Sequence, residues 1–149
     1  MFTDNVKMTG RLQVVLRNPD GSVKETYDIP NVVTDAGKEY IAERMKETGR
    51  PNEMSHMAVG EGSTAAAVGN TALENELTRV PLVTAGGTVT NNSVVYESTF
   101  AAGVGTGAIT EAGILNNSTG GVLLCRTVFP VINKGSSDTL GITWTVTIN

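Results

Sequence analysis

The sequence predicts a mainly β protein: an antiparallel β-sandwich or barrel-like (jelly-roll-type) domain with one helix near residues 35–47 and a short helical turn near 71–78. The final segment carries the first observation. Leu140, Ile142, Trp144, Val146 and Ile148 alternate with Gly141, Thr143, Thr145 and Thr147, the period of two that puts one face of a strand in a core and the other outside. The second is cadence, because from Val80 onward apolar runs recur between Gly/Asn/Ser/Thr clusters at regular spacing, as in antiparallel sandwiches and barrels. The third is size: 149 residues, 40% hydrophobic, are enough for one ordinary core and short for two.

Residues 1–10 are polar and mixed, so they are assigned to an N-terminal arm lying on a neighbouring chain, with residues 11–149 as a single β-sandwich domain. Arg11–Arg17 and Ser22–Ile29 flank Asn18-Pro19-Asp20-Gly21, where proline presets the turn and glycine accepts the positive φ that closes a hairpin. The helix over Asp35–Glu47 has Thr34 or Asp35 as N-cap, Ala36, Tyr40, Ile41 and Met45 on its apolar face, and Gly49 as its stop. Met54–Val59 is a short strand, followed by a Gly/Ser/Ala-rich excursion from Gly60. Within that excursion Thr71-Ala72-Leu73-Glu74 has capping-box spacing, which predicts the helical turn. Strands return at Val80–Ala85, Val94–Ala101, Ile109–Leu115, Val122–Val131 and Leu140–Ile148.

Charge limits the partners. The formal net charge is -4, and residues 1–50 hold eight of the eleven basic groups with eight acidic ones, so the remaining chain has no basic track for a phosphate backbone. Nucleic acid is therefore not expected as a partner, nor is a membrane, since no apolar run approaches the ~18 residues of a span. The single cysteine, Cys125, sits in an apolar strand and reads as buried, and the N-terminus lacks a signal-peptide core. The Asn91-Asn92-Ser93 and Asn116-Asn117-Ser118 sequences read as turns.

No residue set here supports catalysis, a cofactor or a metal. Gly103-Val104-Gly105-Thr106-Gly107-Ala108 resembles a dinucleotide fingerprint, but a strand, ITEAGIL, follows where a helix must start. His56 is the only histidine, so a two-histidine metal site cannot form within one chain. A triad on His56 would need Ser98 or Asp138, toward which nothing in the sequence points. Glu111 and Arg126 interrupt otherwise neutral strands. A hairpin turning about Ser118 and Thr119 would set them directly opposite each other as a structural pair, with Arg79 as a competing partner for Glu111. Trp144, Phe129 and Phe100 are assigned to the core, which leaves no aromatic platform for a sugar.

Taken in order, VVTDAGKEYIAERM, MAVGEGSTAAAVGNTALENELTRV, ITEAGIL and GGVLLCRTVFPVINKGSSDTLGITWTVTI resemble small virion structural proteins of tailed bacteriophages and prophages, over about residues 31–148. The resemblance implies a structural protein, located in the virion after synthesis in the host cytoplasm, and transfers no catalytic residue. Some members are head decoration or cement proteins, and similar ITEAG strands occur in tail-collar and tail-fibre proteins. The first reading is a capsid decoration protein that binds the capsid exterior and stabilises it, because a ligand of the assembled state alone favours that state. A tail, collar or fibre component is the alternative, and a carbohydrate-binding module the one from another class. The implied partners are the major capsid protein or other virion proteins, with further copies of the chain in a homo-oligomer, a trimer favoured. Met1, Phe2, Val6 and Met8 in the arm, with Thr143, Thr145 and Thr147 on the last strand, are the candidate interface residues.

Overall fold

In a computed structural model describing residues 5–149, the chain forms two five-stranded antiparallel sheets, one short helix and no closed barrel. In chain order the elements are β1 (Met8–Arg17), β2 (Val23–Pro30), β3 (Val32–Val33), α1 (Asp35–Arg44), β4 (His56–Gly60), β5 (Glu76–Pro81), β6 (Thr88–Thr90), β7 (Ser93–Phe100), β8 (Gly107–Leu115), β9 (Leu123–Lys134) and β10 (Thr139–Ile148). Sheet A runs β2-β1-β10-β7-β6 and sheet B runs β3-β9-β8-β4-β5.

The last strand is thus the central strand of sheet A, paired with β1 on one side and β7 on the other. Its apolar row fills the space between the sheets: Leu140, Ile142, Trp144 and Val146 are buried with Leu12, Val14, Leu16 and Phe100, against Met57, Ile109, Ile114 and Ile132 of sheet B. Each fully buried side chain of this kind contributes about 1.5–3 kcal/mol. Ile148 keeps the alternation but is 42% exposed, because the strand there runs past the packed core.

The first hairpin closes as its sequence predicts, with Gly21 at φ 87 and the Gly21 N–H donating to the Asn18 carbonyl at 2.9 Å. Thr34 caps α1. Its hydroxyl oxygen accepts the Gly37 N–H at 2.9 Å while donating to the Leu123 carbonyl at 2.6 Å, which ties the helix start to β9. Gly37 is required at this contact, since a Cβ there would run into the Leu124 backbone. The helix ends at Arg44, three residues earlier than the apolar spacing predicts. Met45 consequently leaves the buried face and is 83% exposed, whereas Tyr40 stays in the core.

Three further expectations are corrected. The arm does not extend to residue 10: β1 begins at Met8, and Lys7 exchanges backbone hydrogen bonds with Asn149 at 3.0 and 2.7 Å, so residues 7–10 lie on the chain's own last strand. The helical turn near 71–78 is absent and β5 starts at Glu76, four residues before the expected strand. The capping box is dissolved by competition, because the Glu74 N–H is drawn to Glu111 and the Glu74 carboxyl is held below its ordinary value first by the Thr64 hydroxyl. β6 and the two-residue β3 escape the sequence reading, as both are shorter than a recognisable alternation.

At the opposite end of sheet A, the largely buried Asp138 carboxylate accepts the Gly135 N–H at 2.8 Å and Lys24 Nζ at 3.1 Å. The Gly135 bond and then Lys24 hold its carboxyl below the ordinary 3.8. Because the folded value is the lower one, the resulting stabilisation is complete above the unfolded value and is lost as pH falls through the folded one. Asp138→Asn is therefore expected to remove part of the acid sensitivity: urea midpoints of parent and variant should converge as pH drops below about 4.

Candidate functional site

The strongest constellation of buried charge is built on sheet B. Glu111 on β8 and Arg126 on β9 do meet, with Nε and Nη2 of Arg126 each 2.9 Å from Glu111 Oε2, and both side chains are almost wholly buried. They are not directly opposite, however. Glu111 faces Val128 and Gly113 faces Arg126, so the pair is diagonal. The shift arises because the turn is a seven-residue loop, 116–122, rather than a tight turn about Ser118 and Thr119, and because β9 carries extra residues opposite the Ile114/Leu115 and Ile109/Glu111 steps. Asn116 closes the loop, its side-chain oxygen accepting the Val122 N–H at 2.7 Å.

The pair holds down the Gly60–Asn75 excursion. Glu111 Oε1 accepts the N–H groups of Gly62 (3.0 Å) and Asn75 (2.7 Å), and Oε2 accepts that of Glu74 (3.0 Å). Arg126 adds Nη1 to Asn70 Oδ1 at 3.0 Å and Nη2 to the Thr64 carbonyl at 3.1 Å. A segment without regular structure is thereby strapped across the outer face of sheet B, where Leu73 covers Ala58, Leu115 and Leu123. Close approach makes glycine necessary at position 62, since a Cβ there would lie 2.5 Å from Glu111 Oε1. Arg79, the expected competitor, instead pairs with Glu76 at 2.7 Å and donates to the Asn117 and Gly120 carbonyls. The strap residues Gly62, Thr64, Asn70 and Asn75 were not identifiable from sequence, because they act mainly through backbone groups that any residue carries.

The second constellation is the outer face of sheet A. Thr143 lies between Gln13 and Glu97, Thr145 between Arg11 and Val95, and Thr147 between Thr9 and Ser93, all pointing away from the core and all half-buried by their neighbours. A shallow groove runs along them, edged by Arg11 and Asp28, which form an exposed ion pair at 2.5 Å. Thr147 and Ser93 hydroxyls bond each other at 2.8 Å. Of the arm candidates, Val6 is 75% exposed and Met8 is half-buried opposite Ile148, while Met1 and Phe2 lie outside the described residues.

Among the described residues the candidates for a triad on His56 stay apart. Ser55 Oγ lies 2.8 Å from His56 Nδ1, and burial, with Arg79 as a lesser cause, lowers the imidazole's pKa. Ser98 donates to the Pro81 carbonyl and Asp138 is held by Gly135 and Lys24, so neither reaches His56. Cys125 is fully buried and burial pushes its thiol far up. Among the described residues no three His, Cys, Asp or Glu converge as metal ligands, and no helix is long and apolar enough to cross a membrane.

A family model described as phage tail-collar fibre protein, N-terminal, matches residues 26–148. Neither the curated proteins nor the solved structures yield a match.

Proposed function

The chain belongs to the phage tail-collar fibre protein family, in its N-terminal domain, and from that premise we propose that it joins virion proteins through the threonine face of sheet A. It is a phage tail or fibre structural component. The match over 26–148, which spans nine of the ten strands wholly or in part, is the observation that carries this reading, and it favours the tail alternative over capsid decoration. The proposed partner is another virion protein, with further copies of the chain completing a closed ring or trimer, and the proposed work is adhesion rather than catalysis. Physically the face suits that work. Its hydroxyl rows carry few charges to desolvate, and its one close ion pair is already internally neutralised.

Imaging of particles carrying a labelled copy separates the two locations. Label on the tail or collar is expected; label over the head shell would return the decoration reading, with the major capsid protein as partner. A paired substitution tests the surface. Thr143→Lys faces Glu97 and Thr145→Glu faces Arg11, so each new charge has an opposite neighbour within the sheet and stability should change by no more than about 0.5 kcal/mol. Incorporation into particles should nevertheless fall at least tenfold, because both charges must be desolvated at the contact. Normal incorporation would exclude this face.

A further inference from the structure

A polar cleft opens between the segment that follows α1 and the loop joining β8 to β9, lined by Arg44, Arg50, Asn52, His56, Asn117 and Ser118 among others. Its basic groups are unlike most of the others. Among the described residues Arg11, Lys24, Lys38, Lys46, Arg79 and Arg126 each have a carboxylate within 4 Å, whereas Arg44 and Arg50 have none. Both guanidinium groups are nevertheless anchored. Arg44 Nη1 donates to the Pro51 carbonyl at 2.8 Å, and Arg50 Nε donates to the Lys46 carbonyl. Each of these bonds uses one N–H of a five-donor fork and leaves the other donors, and the charge, available. One carboxylate, Glu53, also lines the cleft, and its Oε2 lies toward Gly86, where an added Cβ would sit 2.9 Å from it. Hydroxyl and amide groups of Ser118 and Asn117 line the same cleft from the β8–β9 loop.

We propose that this cleft binds an oxyanion, a phosphate or carboxylate group carried by a larger ligand, with Arg44 and Arg50 as the two charge-assisted donors. Two forks on one cleft match an acceptor with several oxygens, because each fork can bond two of them at once. The site is separate from the threonine face, so its success or failure is independent of the proposed assembly contact.

The single histidine supplies the readout. His56 lines the cleft, and its imidazole is held below its ordinary value by burial and by Arg79, so a bound anion must move its titration upward. The experiment follows the His56 ring resonances of the full chain by NMR through a pH titration, with inorganic phosphate, acetate and sodium chloride at matched ionic strength. A saturable upward movement with phosphate or acetate, absent with chloride, is expected. The stronger of the two assigns the group as phosphate or carboxylate. Arg44→Gln/Arg50→Gln should weaken the saturable response at least about tenfold, and Arg44→Lys/Arg50→Lys, which keeps charge but loses the forks, should fall between. Equal responses to all three salts, no response, or a glutamine variant that binds like the parent while keeping its fold would each overturn the assignment.

Discussion

Replacing Glu111 with alanine is expected to destabilise the protein by about 3–5 kcal/mol, the range for breaking a buried ion pair by removing one partner. For a chain of this size that corresponds to a fall in Tm of roughly 6–20 °C. The carboxylate has more at stake than Coulomb attraction. Its loss leaves the Arg126 guanidinium buried, and it also removes the acceptor of three N–H groups, those of Gly62, Glu74 and Asn75. Arg126→Met should cost less, because the remaining carboxylate still accepts those three N–H groups. This ordering separates a strap from an ordinary ion pair. In an ordinary pair, replacing both partners with apolar residues recovers most of the loss. Here Glu111→Leu/Arg126→Met should recover little, since the backbone donors stay orphaned. Urea unfolding of the two single variants and the double one measures the comparison, and amide hydrogen exchange locates it: protection at Gly62, Glu74 and Asn75 should drop before that of β10. A double variant near parental stability would show that the strap does not depend on the carboxylate.

The strap also marks where sequence reading stops. The alternation from Leu140 to Val146 was legible because burial acts on side chains two apart, and Gly21 was legible because its turn needs a positive φ. Glu111 and Arg126 stood out as charges in neutral strands, which sufficed to suggest a partnership but not its geometry. Their diagonal register depends on two irregularities in β9 and on a seven-residue loop, and those are settled by packing, for example by the tie between Thr34 and the Leu123 carbonyl. The failed helical turn at Thr71–Glu74 follows the same logic. A local capping pattern lost its Glu74 N–H to a carboxylate 37 residues away, a long-range contact that local propensity cannot contain. The outer threonines were visible as a face. Their neighbours Arg11, Gln13 and Glu97 depend on strand order, which the sequence did not disclose.

Trp144→Ala should match Glu111→Ala in cost, at about 3–5 kcal/mol, since it empties the largest fully buried side chain from between the sheets. The more informative variant is Trp144→Phe. It keeps an aromatic ring in the core but removes the indole N–H, which donates to Asn31 Oδ1 at 3.1 Å. The Asn31 side-chain nitrogen is already buried without a partner, so in this variant the whole amide would be unsatisfied. That adds about 1–3 kcal/mol to the smaller packing loss. Asn31→Ala alone leaves the opposite orphan, the tryptophan N–H, though it also removes the unpartnered nitrogen. Combining the two deletes donor and acceptor together, so the double variant should be more stable than the sum of the single losses requires, by about 0.5–3 kcal/mol. A cycle measured by chemical denaturation tests this directly. Strict additivity would mean that the Trp144–Asn31 bond contributes nothing beyond volume, and that the register of β10 over the first hairpin rests on hydrophobic packing alone.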